Sequence, residues 1–304
     1  MNRTDPHIRR IPNLFHFVFG LKKQREPFHL VYYLALASCR AVNNPEQIYF
    51  YYHHEPWGYY WDLAREFVTL VRVDLDSFIA SFRYPDPFVA RYRYAHQSDF
   101  IRLERLLQIG GVYADIDTIF VNPFPARLWE MPFVLGREGD VVPEPGANPQ
   151  PSLCNALIMA EPGAAFGQIW LSEMRSAFDG SWSGHSTLLP ECLRQAHPDL
   201  LHVEPERTFY RHSWTPEGIR TLLEELDEDL DGIVSLHLWS HLWWSRRRRD
   251  FSSCHAGLLT ERRIATIDTT YNVIARRYLP SAKTLGARLR RHFRDALSLP
   301  FLYL

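Results

Sequence analysis

The chain has 304 residues, 46% apolar and 23% charged, a composition that excludes a disordered protein and leaves one large globular domain or two small ones. A net charge of −1 excludes a strong bias of the whole molecule towards nucleic acid, and no apolar run is long enough for a membrane-spanning helix. The amino terminus MNRTDPHIRR lacks an apolar h-region. Cys39, Cys154, Cys192 and Cys254 form no CxxC pair. Reduced, mostly buried thiols in a cytoplasmic protein are therefore expected.

In chain order, IPNLFHFVFG predicts a buried first strand ending at Gly20, and PFHLVYYLALASCRAVNNP a helix stopped by Asn43, Asn44 and Pro45. QIYFYY predicts a second strand, and WDLAREFVTLVRVDL a short helix running into a third. AHQSDFIRLERLLQIGG is the clearest helix: Phe100, Leu103, Leu106 and Leu107 form an apolar stripe that Gly110 and Gly111 end. VYADIDTIFV predicts the next strand and CNALIMA another. FGQIWLSEMRSAF and TPEGIRTLLEEL predict helices, the latter with Thr215 as N-cap and Pro216 at N1. Strands alternating with helices predict an α/β domain: a mainly parallel central sheet, helices on both faces and helical additions.

Asp115 and Asp117 lie at the end of an apolar strand, and in an extended segment they point to one side of the sheet. Two such charges about 4 Å apart repel by roughly 4 kcal/mol at an effective dielectric of about 20. They need a cation or a shared proton, and carboxylate oxygens suit Mg²⁺ or Mn²⁺. As a bare D-x-D, a solvated turn is the commoner outcome. Upstream, Asp99 and Arg102 are helix neighbours at i, i+3.

SDFIRLERLLQIGGVYADID as a whole resembles the S-D-x-x-R…G-G-x-Y-x-D-x-D signature of sugar-nucleotide-dependent glycosyltransferases. That family includes outer-chain α-mannosyltransferases, α-1,4-galactosyltransferases, capsule-sugar transferases and glucosylating toxins. IPNLFHFVFG is similar to its opening strand, with Phe19 where the family usually has Trp. CNALIMAEPG and HLWSHLWW resemble its later elements. The resemblance implies a GT-A (Rossmann-like) fold and a metal-dependent transfer, with retention, from a nucleotide sugar to a glycan, lipid-linked or other hydroxyl acceptor. UDP is favoured over GDP.

It further implies that Val18, Phe19 and Gly20 line the base and that Asp117, with Asp115 and His237, holds Mn²⁺ or Mg²⁺. Asp99, Arg102 and Asn155 face the donor, and Trp243 covers the diphosphate as a lid. Tyr113 packs inward by spacing, yet its family match places it near the donor. His241 competes with His237 for the metal. Where the family often has T-G-P, this chain has His185 within SGHSTLLP.

Two rival readings stand beside this one. The run VYADIDTIFV is also similar to the D-x-D-x-T motif of haloacid-dehalogenase phosphatases, with Asp115 as nucleophile and Thr118 fitting. That family needs a downstream lysine, and the chain has only Lys22, Lys23 and Lys283. The second rival is a non-catalytic sugar-nucleotide-binding protein.

The chain divides by charge. Residues 1–244 read as the catalytic domain and 245–304 as a basic, helical extension with 13 Arg or Lys against 4 Asp or Glu. Leu285, Leu289, Phe293 and Leu297, interleaved with arginines, predict a basic amphipathic helix. Weak contact with an anionic membrane at the inner face, or packing on the catalytic domain, are the two expectations for it. RRRRD is too short a run to predict nucleic-acid binding.

Overall fold

The computed structural model describes residues 9–75, 93–142, 146–178 and 180–280. The amphipathic pattern expected over residues 285–297 lies outside them.

Among the described residues, seven strands form the central sheet, in the order β3-β2-β1-β4-β7-β6-β8. They are β1 (Leu14–Val18), β2 (Gln47–Tyr52), β3 (Thr69–Arg72), β4 (Gly111–Ala114), β6 (Phe133–Val141), β7 (Gln150–Ala160) and β8 (His202–Glu204). A two-stranded sheet pairs β5 (Thr118–Phe120) with β9 (Ser235–His237). β3, β2, β1 and β4 run parallel, as do β6 and β8, whereas β7 is antiparallel to both its neighbours. The order 3-2-1-4 is that of a Rossmann half-sheet, and the direction of winding reverses between β1 and β4. The expected mainly parallel α/β architecture is observed.

The crossovers are α1 (Leu30–Asn43) and α2 (Tyr59–Ala64) on one face and α3 (Arg93–Ile109) on the other. Strand alternation explains the division. Phe15, Phe17, Phe50 and Val112 meet Val31 and Leu34 of α1 on one side. Tyr113 and Ile158 meet Leu103 and Leu106 of α3, with Phe166 and Trp170 of α4 (Ala165–Ser176), on the other. Asn44 closes α1 in the left-handed conformation, φ 41°. Gly110 and Gly111, φ 70° and 118°, turn α3 directly into β4. A Cβ on Gly111 would stand 2.4 Å from the Leu14 carbonyl oxygen.

Among the described residues the remaining α-helices are α5 (Leu189–Ala196), α6 (Glu206–Tyr210), α7 (Pro216–Leu223), α8 (Ser240–Trp243), α9 (Glu261–Thr266) and α10 (Thr270–Ala275). Thr215 caps α7 by accepting from the Gly218 N–H.

Two sequence expectations change. VYADIDTIFV is not one strand: it breaks at Asp115–Asp117, and its halves join different sheets. Phe133–Val141 is a nine-residue strand that the sequence reading leaves unassigned, since its Gly-Arg-Glu-Gly-Asp stretch carries no apolar alternation.

Candidate active site

β4 delivers Asp115 to the carboxyl end of the sheet, at the point where the winding reverses. There the Asp115 N–H donates to the Ala156 carbonyl at 2.8 Å, and the Thr118 N–H donates back to the Asp115 carbonyl at 2.9 Å. That turn, rather than strand alternation, brings Asp115 and Asp117 to a common site. β5 then pairs with β9, placing Thr118 opposite His237. The His237 Nε2 lies 3.2 Å from Asp117 Oδ1 and 3.6 Å from Asp115 Oδ2.

Trp239 adopts a left-handed backbone, φ 50°, uncommon for so bulky a residue. The Leu238 N–H donates to the Asp117 carbonyl at 2.9 Å, and the Ser240 N–H to Asp117 Oδ2 at 2.8 Å, so the strained residue is held from both sides. Burial alone would raise the Asp117 pKa, but His237 and the Ser240 N–H outweigh it and hold the carboxylate ionised. Burial likewise opposes charge on His237, and the two aspartates reverse that, raising its pKa.

One ligand atom from each of Asp115, Asp117 and His237 lies within 4.8 Å of the others. Two carboxylates and an imidazole, with a cavity in front of them, fit a hard divalent cation that keeps open positions for a ligand. His237 is the late histidine that the fold brings beside the acidic pair. His241 lines the cavity but stands outside this cluster.

Behind the pair lies a buried polar network. Tyr113 donates its hydroxyl to Asp115 Oδ1 at 2.5 Å, and Arg102 lies 3.3 Å from the same oxygen. Arg102 also reaches Asp99 Oδ1 at 3.2 Å and donates to the Asn155 carbonyl at 2.7 Å. Asn155 donates to Asp99 Oδ1 at 2.8 Å, and His185 sits 2.9 Å from Asp99 Oδ2. Burial raises the Asp115 pKa against the pull of Arg102. For Asp99 the same burial loses to Arg102 and His185, so that its pKa is lowered.

Asn155 reaches this network because β6 and β7 lose register there: Leu135 pairs with Ile158, but Gly136 with Cys154. The intervening residues of β7 turn to β4 instead, pairing Leu157 with Ala114.

The site opens into a cavity of about 880 Å³. Val18, Phe19, Gly20, Asp99, Arg102, Tyr113 and Asn155 all contribute to its wall. Trp243 does not. It is fully buried, and its indole N–H donates to the Leu238 carbonyl. The expected lid is therefore a core residue; Trp182, Trp239 and Trp244 line the cavity in its place.

Two further groups stand at the site: His185, which the sequence marks only as replacing the family's proline, and Glu138, which it passes over. His185 occupies a buried π-helical turn, Gly184–Leu188, a local irregularity frequent at functional sites. Glu138 of β6 lines the cavity, accepts from Ser152 Oγ at 3.0 Å, and has its pKa pushed up to about 7 by burial. Neither carries a spacing signal.

Residues 40–134 match the family described as the glycosyltransferase sugar-binding region containing the DXD motif. The chain is 32% identical over 239 residues to glucan organizing enzyme 1 of Cryptococcus neoformans var. grubii serotype A, covering 76% of this chain. It spans 63% of that relative's length. Solved structures with some likeness include the PaToxG glycosyltransferase, at 19% identity and a TM-score of 0.40 over 62% of this chain and 70% of that one. The glycosyltransferase GlyE of Streptococcus pneumoniae TIGR4 gives 13% identity and a TM-score of 0.44 over 97% and 66%.

Proposed function

We propose that this protein, whose residues 40–134 match the glycosyltransferase sugar-binding region containing the DXD motif, transfers a sugar from a nucleotide-sugar donor to a hydroxyl acceptor. One observation carries the reading. Asp115, Asp117 and His237, drawn from segments 120 residues apart, converge at the edge of a large cavity. A Mn²⁺ or Mg²⁺ ion held by these three would neutralise charge building on the departing diphosphate.

The chain's own residues do the rest. Arg102 and Tyr113 fix the Asp115 carboxylate from behind, so that its second oxygen is left to the cavity side. Asp99, oriented by Asn155 and His185, and the buried Arg102 supply polar groups for the donor's hydroxyls and phosphates. Val18, Phe19 and Gly20 offer an apolar and backbone surface for the base. A UDP-sugar donor, retention at the anomeric carbon and a glycan or lipid-linked acceptor complete the proposal; the name of the Cryptococcus relative supports a glycan.

The test is a thermal-shift panel of UDP- and GDP-sugars with and without Mn²⁺. A ligand at 100 times its dissociation constant adds about 2.7 kcal/mol of stability. The expected shift requires both metal and nucleotide sugar and disappears in Asp117→Asn. No shift with any donor, together with a phosphatase activity lost in Asp115→Asn, would overturn the reading in favour of a phosphatase.

A further inference from the structure

The cavity has more acidic groups than the donor site uses. Asp99, Asp115 and Asp117 each have a cation or a backbone N–H on their carboxylates, as described above. Glu138 differs. It is 7% exposed, its hydrogen bonds come from the Ser152 hydroxyl and the Cys154 thiol, no arginine or lysine pairs with it among the described residues, and the His237 imidazole attracts it through space. A buried carboxyl with only neutral donors costs stability, and a core position would be better filled by an apolar side chain.

Its placement is also specific. The β6–β7 ladder slips on both sides of it: between Leu135 and Gly136, and again between Glu138 and Val141. Such irregularities re-aim side chains beside functional sites. The groups assigned to the donor come from α3 and from the ends of β1 and β4, with Asn155 from β7, while the metal ligand His237 comes from β9. Glu138 lies two strands beyond β4, on the side of the cavity that β7 and β9 also build.

We propose that Glu138 is the acceptor-binding carboxylate: it takes a hydrogen bond from the incoming hydroxyl and orients that oxygen towards the donor's anomeric carbon. Ser152 holds one of its oxygens, which leaves the other for the acceptor. The sugar–phosphate bond breaks with its electron pair leaving on the nucleoside diphosphate, and the new glycosidic bond forms to the oriented oxygen, whose proton passes along that hydrogen bond to the Glu138 carboxylate. This inference rests on the glycosyltransferase reading and adds the acceptor half of the same site.

The experiment uses the full chain, Mn²⁺ and whichever UDP- or GDP-sugar gives the wild-type shift, with methyl glucoside, galactoside and mannoside as acceptor probes. Release of nucleoside diphosphate is followed with and without each glycoside. Glu138→Gln, isosteric with the native residue, is expected to bind donor within threefold of wild type. Its glycoside-dependent turnover should fall at least a hundredfold, whereas release to water falls far less. Ser152→Ala, which frees the carboxylate and gives up the contact with the Gly139 carbonyl, should raise the acceptor KM severalfold at little cost in kcat. A Glu138→Gln variant that loses donor affinity in parallel with turnover, or keeps full transfer to glycosides, overturns the assignment. A wild type that binds no nucleotide sugar sinks the glycosyltransferase reading instead, so the two failures are separable.

Discussion

Arg102 shows how burial changes the weight of a pairing. At i, i+3 on a helix, Asp99 and Arg102 read as a surface ion pair contributing about 0.2–0.5 kcal/mol. In the structure both are buried, and Arg102 also touches Asp115 and the Asn155 carbonyl. Breaking a buried pair by removing one partner costs about 3–5 kcal/mol, because the other charge is stranded. Arg102→Ala is therefore expected to lower stability by that amount, read from the urea midpoint. Arg102→Lys keeps the charge but cannot span three partners with one ammonium; it should fold while losing most of its donor affinity.

His16 carries a different prediction. It is fully buried, with Nε2 2.8 Å from the Gly110 carbonyl and Nδ1 3.0 Å from the Tyr51 hydroxyl. Burial pushes its pKa down to about 4. The unfolded chain thus takes up this proton first, so stability is lost as pH falls from about 6.5 to about 4, by at most about 3 kcal/mol. His16→Gln retains a donor for Gly110 without titrating. Melting temperatures at pH 7, 5.5 and 4.5 should fall less steeply in that variant, though His29, lowered in the same direction, keeps part of the slope. At this scale the acidic pair, Arg102, Asn155 and His237 were legible because a motif spaces them. Trp243 and Trp244 were not separable: which of two adjacent tryptophans faces the core is set by the phase of α8.

At the scale of elements, the passage from α3 through the two glycines into β4 positions the whole site. It was legible because glycines at a helix end have a conformational reason to be there. What the sequence hid was the pairing of β5 with β9, strands of three residues each that no periodicity can reveal. β6 stayed hidden for its polar middle, the stretch that carries Glu138. The glycines give a graded test. Gly111 and Gly232 both have positive φ, 118° and 72°, so an alanine at either is strained by about 1–2 kcal/mol. A Cβ at Gly232 meets nothing within 4 Å, whereas at Gly111 it collides with the Leu14 carbonyl and the His16 ring. Gly232→Ala should cost no more than the strain. Gly111→Ala should cost about 3 kcal/mol or more, since β4 must move off β1, and should weaken donor binding as Asp115 shifts with its strand. Paired urea denaturation curves check both.

At the scale of the whole molecule, the sequence divides by charge at residue 245, but charge reports on surface and not on core. From 245 to 280 the arginines alternate with apolar side chains that join the main cluster: Leu259, Ile264, Tyr271, Ile274 and Ala275 are all buried with Phe15 and Leu34. Polar ties reinforce the packing. The Thr270 N–H donates to the Glu225 carbonyl at 2.7 Å, and Ser252, Ser253 and Cys254 gather on the Glu224 carboxylate. Burying a large apolar side chain is worth about 1.5–3 kcal/mol. Losing four such residues removes roughly 6–12 kcal/mol, comparable with the total stability of about 5–15 kcal/mol that a domain possesses. A chain cut after Trp244 is therefore expected not to fold, although it keeps Asp99, Arg102, Asp115, Asp117, Asn155 and His237. A chain cut after Pro280 keeps every contact described above and should melt cooperatively, with its Mn²⁺- and donor-dependent shift intact. Circular dichroism melts of the two truncations decide the matter: a cooperative transition in the shorter one would mean that residues 245–280 only cover a core that closes without them.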